Sequence, residues 1–254
     1  MNLIDDDKLR LLCGKPLIFK DTCLVYSPIL EDIISVGLSK FYKDISLLLI
    51  EKPSVEEKEV NDVLKDLSDF EYLLLVCSME PETKKMLEEA FYLFTQDSII
   101  ISLETSSIIL GDPSEKRILT KDNFYDFQSY IGLACAMEDY SEERIEFLDT
   151  DSPKVRQLKL QMLEGRKKRK ELKEKQKKSD KSAINFSDLV ASLPIGTSGY
   201  TLQSVMKLSY YAFQDQLKRM GWHEEFNINT RAAMAGAKIG KDKLSHWIKT
   251  MTFK

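Results

Sequence analysis

Apolar residues recur every three to four positions through Leu30, Ile33, Ile34, Leu38, Phe41 and Ile45, which predicts an amphipathic helix running towards Ile50. Ser27-Pro28 ahead of it supplies a cap and a proline for the first helical turn. Further upstream, Leu17-Ile18-Phe19 and Cys23-Leu24-Val25-Tyr26 are short β-prone runs on either side of Lys20-Asp21-Thr22, the pattern of a hairpin. Ser54 followed by Glu57 reads as a capping box ahead of Val60, Val63, Leu64 and Leu67. The run Tyr72 to Cys77 fits either a helix end or a strand. Pro81 opens a helix with Met86, Leu87, Ala90, Phe91 and Phe94 on one face. β-Branched runs at 98–103 and 107–110 flank the polar Glu104-Thr105-Ser106, so a second hairpin is expected. Thr120 caps a last helix that buries Phe124, Phe127, Ile131 and Cys135.

This α+β pattern ends near Tyr140, and residues 1–140 are read as one domain. Residues 141–182 are the boundary: after Leu163 the only large apolar residue before Ile184 is Leu172. The segment is rich in helix formers but too polar along its length to pack, so a solvated basic helical linker is expected. Residues 183–254 restart an apolar pattern as a small all-α module. There a short helix is stopped by Pro194, and Thr201 caps a helix burying Leu202, Val205, Met206, Ser209, Phe213, Leu217 and Met220 and ending at Gly221. A third helix covers about 230–238, and a last one starts at Asp242.

Charge sharpens this division. Residues 1–153 carry 15 Lys/Arg and 32 Asp/Glu, a net of −17, whereas 154–178 carry 12 and 3, a net of +9. An acidic body and a basic arm attract each other within a chain or between copies. No apolar run approaches the roughly 18–20 residues of a membrane span, and the first residues lack the pattern of a signal peptide, so a cytosolic product is expected. The four cysteines are widely spaced with no CxxC pair, which points to reduced, mostly buried thiols.

Candidate chemistry is sparse. His223-Glu224-Glu225 has Asn227 where a HExxH zinc motif needs its second histidine. Gly236 to Gly240-Lys241 is one residue too short for a phosphate loop and is followed by Asp242. No catalytic residue, metal ligand or cofactor is assigned, and the chain is read as a non-enzyme. The basic residues Arg166, Lys167, Lys168, Arg169 and Lys170 suit a phosphate backbone, but no aromatic residue is interleaved for stacking. The solvated linker is therefore preferred over a nucleic-acid-binding arm. Docking on an acidic protein surface, including the acidic domain of another copy, is the remaining use. In the aromatic cluster Tyr210-Tyr211-Ala212-Phe213, Tyr211 lies about 100° from Tyr210 around a helix. Tyr211, Gln214, Lys218 and Trp222 are accordingly expected on an exposed, partner-binding surface.

Two C-terminal signatures, Ser209 to Met220 and Glu224 to Lys238, with Lys241 to Lys249 after them, resemble the C-terminal segment of tail-assembly proteins in phages of Gram-positive hosts. Tyr26 to Gly37 is similar to the opening of phage tail chaperone and baseplate-assembly domains. The resemblance covers about a fifth of the chain. It implies a non-enzymatic assembly factor in the host cytoplasm that binds another tail protein, such as the tape measure or a tube or baseplate component. A permanent structural subunit of the virion tail or baseplate is the alternative, and a nucleic-acid-binding protein the second alternative.

Overall fold

A computed structural model describes residues 5–52, 67–137, 152, 154–157, 161, 184–197 and 199–240. The fold is mixed α+β, with two small antiparallel sheets and helices at the C-terminal side. Helix α1 (Asp5–Leu12) leads into strands β1 (Leu17–Phe19) and β2 (Cys23–Val25). These pair antiparallel with Ile18 opposite Leu24, so Leu17, Phe19, Cys23 and Val25 all face inward. The expected hairpin forms around Lys20, which takes up a left-handed φ of 48°.

The long helix expected from Leu30 to Ile50 is two helices, α2 (Leu30–Val36) and α3 (Leu38–Leu48). Gly37, at φ 96°, closes the first and opens the second, a conformation costly for other residues. Helix α4 (Asp69–Met79) absorbs the ambiguous run at 72–77, and its start is fixed by a reciprocal Ser68–Glu71 capping box. Pro81 stands in the first turn of α5 (Pro81–Thr95), as expected. The second expected hairpin is β3 (Ile99–Ser102) with β4 (Ser107–Leu110), and β5 (Ile118–Leu119) extends it to three strands. Ile108, Leu110 and Leu119 face the core, while Ile100, Ile109 and Ile118 form a row on the other face. Helix α6 (Lys121–Ala134) begins at a Thr120–Asn123 capping box.

Aromatic rings join these layers. Phe127 of α6 stacks on Phe91 of α5 at 5.3 Å and meets Phe19 of β1 edge-on at 5.7 Å. The buried Gln128 amide donates to the carbonyls of Leu48 and Ile50, satisfying the end of α3.

After the boundary come α7 (Phe186–Gly196), α8 (Leu202–Met206) and α9 (Tyr210–Met234). Pro194 lies inside α7 rather than stopping it, and α9 runs through Gly221. A lone exposed glycine costs an interior helix only about 1 kcal/mol, so the helix continues. The Ser54 capping box, the helix at Asp242 and the end of the first domain near Tyr140 lie outside the described residues. One hydrophobic core contains both Leu11 to Cys135 and Val190, Leu193, Val205, Tyr210, Tyr211 and Phe213. The first part of the expected C-terminal module thus packs on the N-terminal body.

Candidate interaction surface

The decisive local feature is the start of α9. A single helix from Thr201 to Met220 was expected, yet the chain turns at Lys207 and restarts at Ser209. Serine is a favoured N-cap, and the Ser209 hydroxyl accepts the Ala212 amide at 3.2 Å. The same hydroxyl donates to the Leu11 carbonyl at 3.1 Å, across almost the whole chain. Leu30 N–H donates to the Leu208 carbonyl (3.0 Å) and Tyr210 N–H donates to the Pro28 carbonyl (2.8 Å), a short antiparallel bridge centred on Ile29 and Ser209. Tyr211 N–H donates to the Ser27 hydroxyl at 2.9 Å. Amides that a helix N-terminus leaves without intrahelical partners are here satisfied by a segment more than 180 residues away. Ser27 therefore serves α9 rather than α2, whose N-cap is Ile29.

This seat corrects the expected exposure of Tyr211. It is 1% exposed, and burial first, then the neighbouring Asp215 charge, pushes its phenol up to about 12. Helical phase placed Tyr211 off the buried stripe, but the first turn of α9 is wedged into the body and buries every side chain from Tyr210 to Phe213. Tyr210 meets Phe41 edge-on at 5.1 Å, and Phe186 of α7 meets Phe213 at 5.6 Å. Ser209 followed by a Tyr-Tyr pair was the sequence signal for the restart, because a serine with β-region backbone opens a helix. Leu202, placed on the buried stripe, is instead 56% exposed because α8 and α9 are separate helices.

One turn further on, Asp215 is buried and its carboxylate receives Arg219 through Nε at 2.6 Å and Nη2 at 3.2 Å. Gln214, Lys218 and Trp222, the other expected interface residues, are all half-buried. Leu217 and Met220 pack against the core edge, and a β-carbon at Gly196 would overlap the Met220 thioether. Beyond Gly221 the helix presents exposed His223, Glu224 and Glu225, then Ile228 at 58% and Met234 at 84% exposure.

Arg166 to Lys170 lie outside the described residues. Among the described residues no group of three or more His, Cys, Asp or Glu is arranged to hold a metal ion. None of the described helices is long and apolar enough to cross a membrane. Cys23 and Cys77 are buried, and burial pushes their thiols up to about 12 and about 11, so both stay protonated and unreactive at neutral pH.

Residues 174–252, which include α7, α8 and α9, match the family model described as the YomV second domain. This is a phage-associated domain family. No curated protein and no solved structure matches the chain. The YomV-like segment begins within the basic run and contains the α9 turn that enters the seat, so the region of similarity includes residues inserted into the body's core.

Proposed function

We propose that the chain is a non-enzymatic phage tail assembly factor of the host cytoplasm, binding another tail protein through the distal half of α9. The tape measure or a tube component is the partner class. The observation that carries this reading is the division of α9. Its first turn is locked into the core, while Ile228 and Met234 stand exposed on the same helix, within the phage-associated segment. A helix anchored at one end presents its exposed side chains rigidly and at little entropic cost, and Ile228 and Met234, about 120° apart around its axis, are apolar contacts for a partner that wraps this end. The seat holds Tyr211 out of this surface, and the face presented is built by residues after Gly221. Interface hot spots typically contribute about 2 kcal/mol or more each, and Ile228 and Met234 are the candidates for that role.

Co-expression with the tape measure protein of the same phage tests the proposal. The expected result is a soluble complex that co-purifies, lost on Ile228→Asp with Met234→Asp, together with absence of the chain from purified particles. A tape measure protein that is soluble alone and fails to co-purify contradicts the reading. Stoichiometric presence in finished tails replaces it with a structural subunit.

A further inference from the structure

Helices α2, α3 and α5 line a groove of about 790 Å³. One wall is made by Asp32 and Ser35 of α2 with Lys40 and Asp44 of α3, and the other by Glu88, Tyr92 and Gln96 at four-residue spacing on α5. A channel between helices of this kind is the sort of site that receives an amphipathic helix. The floor is apolar, from Val36, Leu93 and Ile99, and Tyr92 stands 64% exposed at the rim. The charge is one-sided. Among the described residues that line the groove, Asp32, Asp44, Glu88 and Glu89 face the single cation Lys40. Lys40 is itself held by both oxygens of Asp44 (3.0 and 2.9 Å) and by Glu89 at 3.0 Å. Its charge is already engaged, so Asp32 and Glu88 set the field at the mouth.

We propose that this groove receives the basic segment beginning at Lys154 of a second copy of the chain, giving a dimer by reciprocal exchange. Charge complementarity selects the occupant: residues 154–178 carry a net +9, opposite in sign to the groove. The described start of that segment, Lys154–Gln157, is helical and exposed, with Val155 at 41% exposure, and lines no part of the groove. In sequence, Leu158 and Met162 follow Val155 at the i+3 and i+7 spacing of a helix-in-groove ligand, with Lys154 before them and Arg156 and Lys159 between them. Exchange of one arm for the other satisfies two-fold symmetry, because each copy supplies a groove and a segment. This inference goes beyond the tail-assembly reading, and either can fail without the other.

Sedimentation equilibrium of the full chain tests it. The expected result is a dimer in 50 mM NaCl whose dissociation constant rises at least about tenfold in 500 mM. Glu88→Lys with Tyr92→Ala in the groove, and Val155→Asp with Arg156→Glu in the segment, should each weaken dimerisation by at least about tenfold with the circular dichroism spectrum unchanged. Mixing the two variants should restore dimers, since the mixed pair keeps one intact groove and one intact segment. A chain that is monomeric at all concentrations overturns the proposal. So does a dimer indifferent to both variants, a mixture that fails to complement, or a groove that binds only a basic helix of another protein.

Discussion

The two ends of α9 share one helix but answer to different constraints. At Tyr210–Phe213, side chains on all sides are buried and the backbone amides belong to Ser27, Pro28 and Ser209. After Gly221 the residues are exposed or half-buried, and two large apolar ones stand in the open. Periodicity assigns a helix one buried stripe, whereas docking of its end into a body buries a full turn. Burial at the start of this helix is therefore set by the seat, whereas beyond Gly221 the half-buried Trp222, Phe226, Asn229, Thr230 and Ala233 return to helical spacing.

The largest expected break of this contrast is Tyr211→Ala or Phe213→Ala. Each removes a fully buried ring and should cost about 3–5 kcal/mol in chemical denaturation, against less than about 0.5 kcal/mol for Ile228→Ala. Equal costs at Tyr211 and Ile228 would erase the distinction. Next comes Arg219→Ala, which strands the buried Asp215 carboxylate. Because Arg219 is itself about a third exposed, solvent screens part of the loss, and about 2–3 kcal/mol is expected rather than the full cost of a buried pair. Ser209→Ala removes an N-cap and the bond to Leu11 together, for about 1–2 kcal/mol. Ser209→Thr, which keeps the hydroxyl, should recover part of it.

The smallest effect lies away from α9 and serves as its control. Backbone and side-chain hydrogen bonds from Ser68 hold the Glu71 carboxyl below the usual carboxylate range. A depressed folded pKa gives stability that is present above the unfolded value and lost as pH falls through the folded one. Acid titration of thermal stability should show a small loss there that Glu71→Gln removes and Ile228→Ala leaves intact.

Local signals were legible in the sequence at most places where structure was decided locally. Both hairpins, the Pro81 helix start and the Thr120 cap follow from turn residues and capping chemistry within a few positions. Gly37 was equally local and was overrun, because the apolar spacing on either side of it is nearly continuous. Ser27 and Tyr211 could not be placed that way: their roles exist only once residues 184 apart meet. Position alone made Ser27 a cap for the helix it precedes, and phase alone put Tyr211 in solvent. The proposed interaction surface moved with them, from Tyr211 to the helix beyond Gly221.

Native-state hydrogen exchange tests most directly the claim that the start of α9 is part of the body's core. The amides of Leu30, Tyr210 and Tyr211, whose acceptors lie across the seat, should exchange only by global unfolding, with the same free energy as Phe91 to Phe94 in α5. Phe41→Ala, on the opposite side of the Tyr210 contact, should accelerate all of them together. Tyr210 and Tyr211 amides that exchange far faster than those of α5, and ignore Phe41→Ala, would show instead a separate module resting on the body.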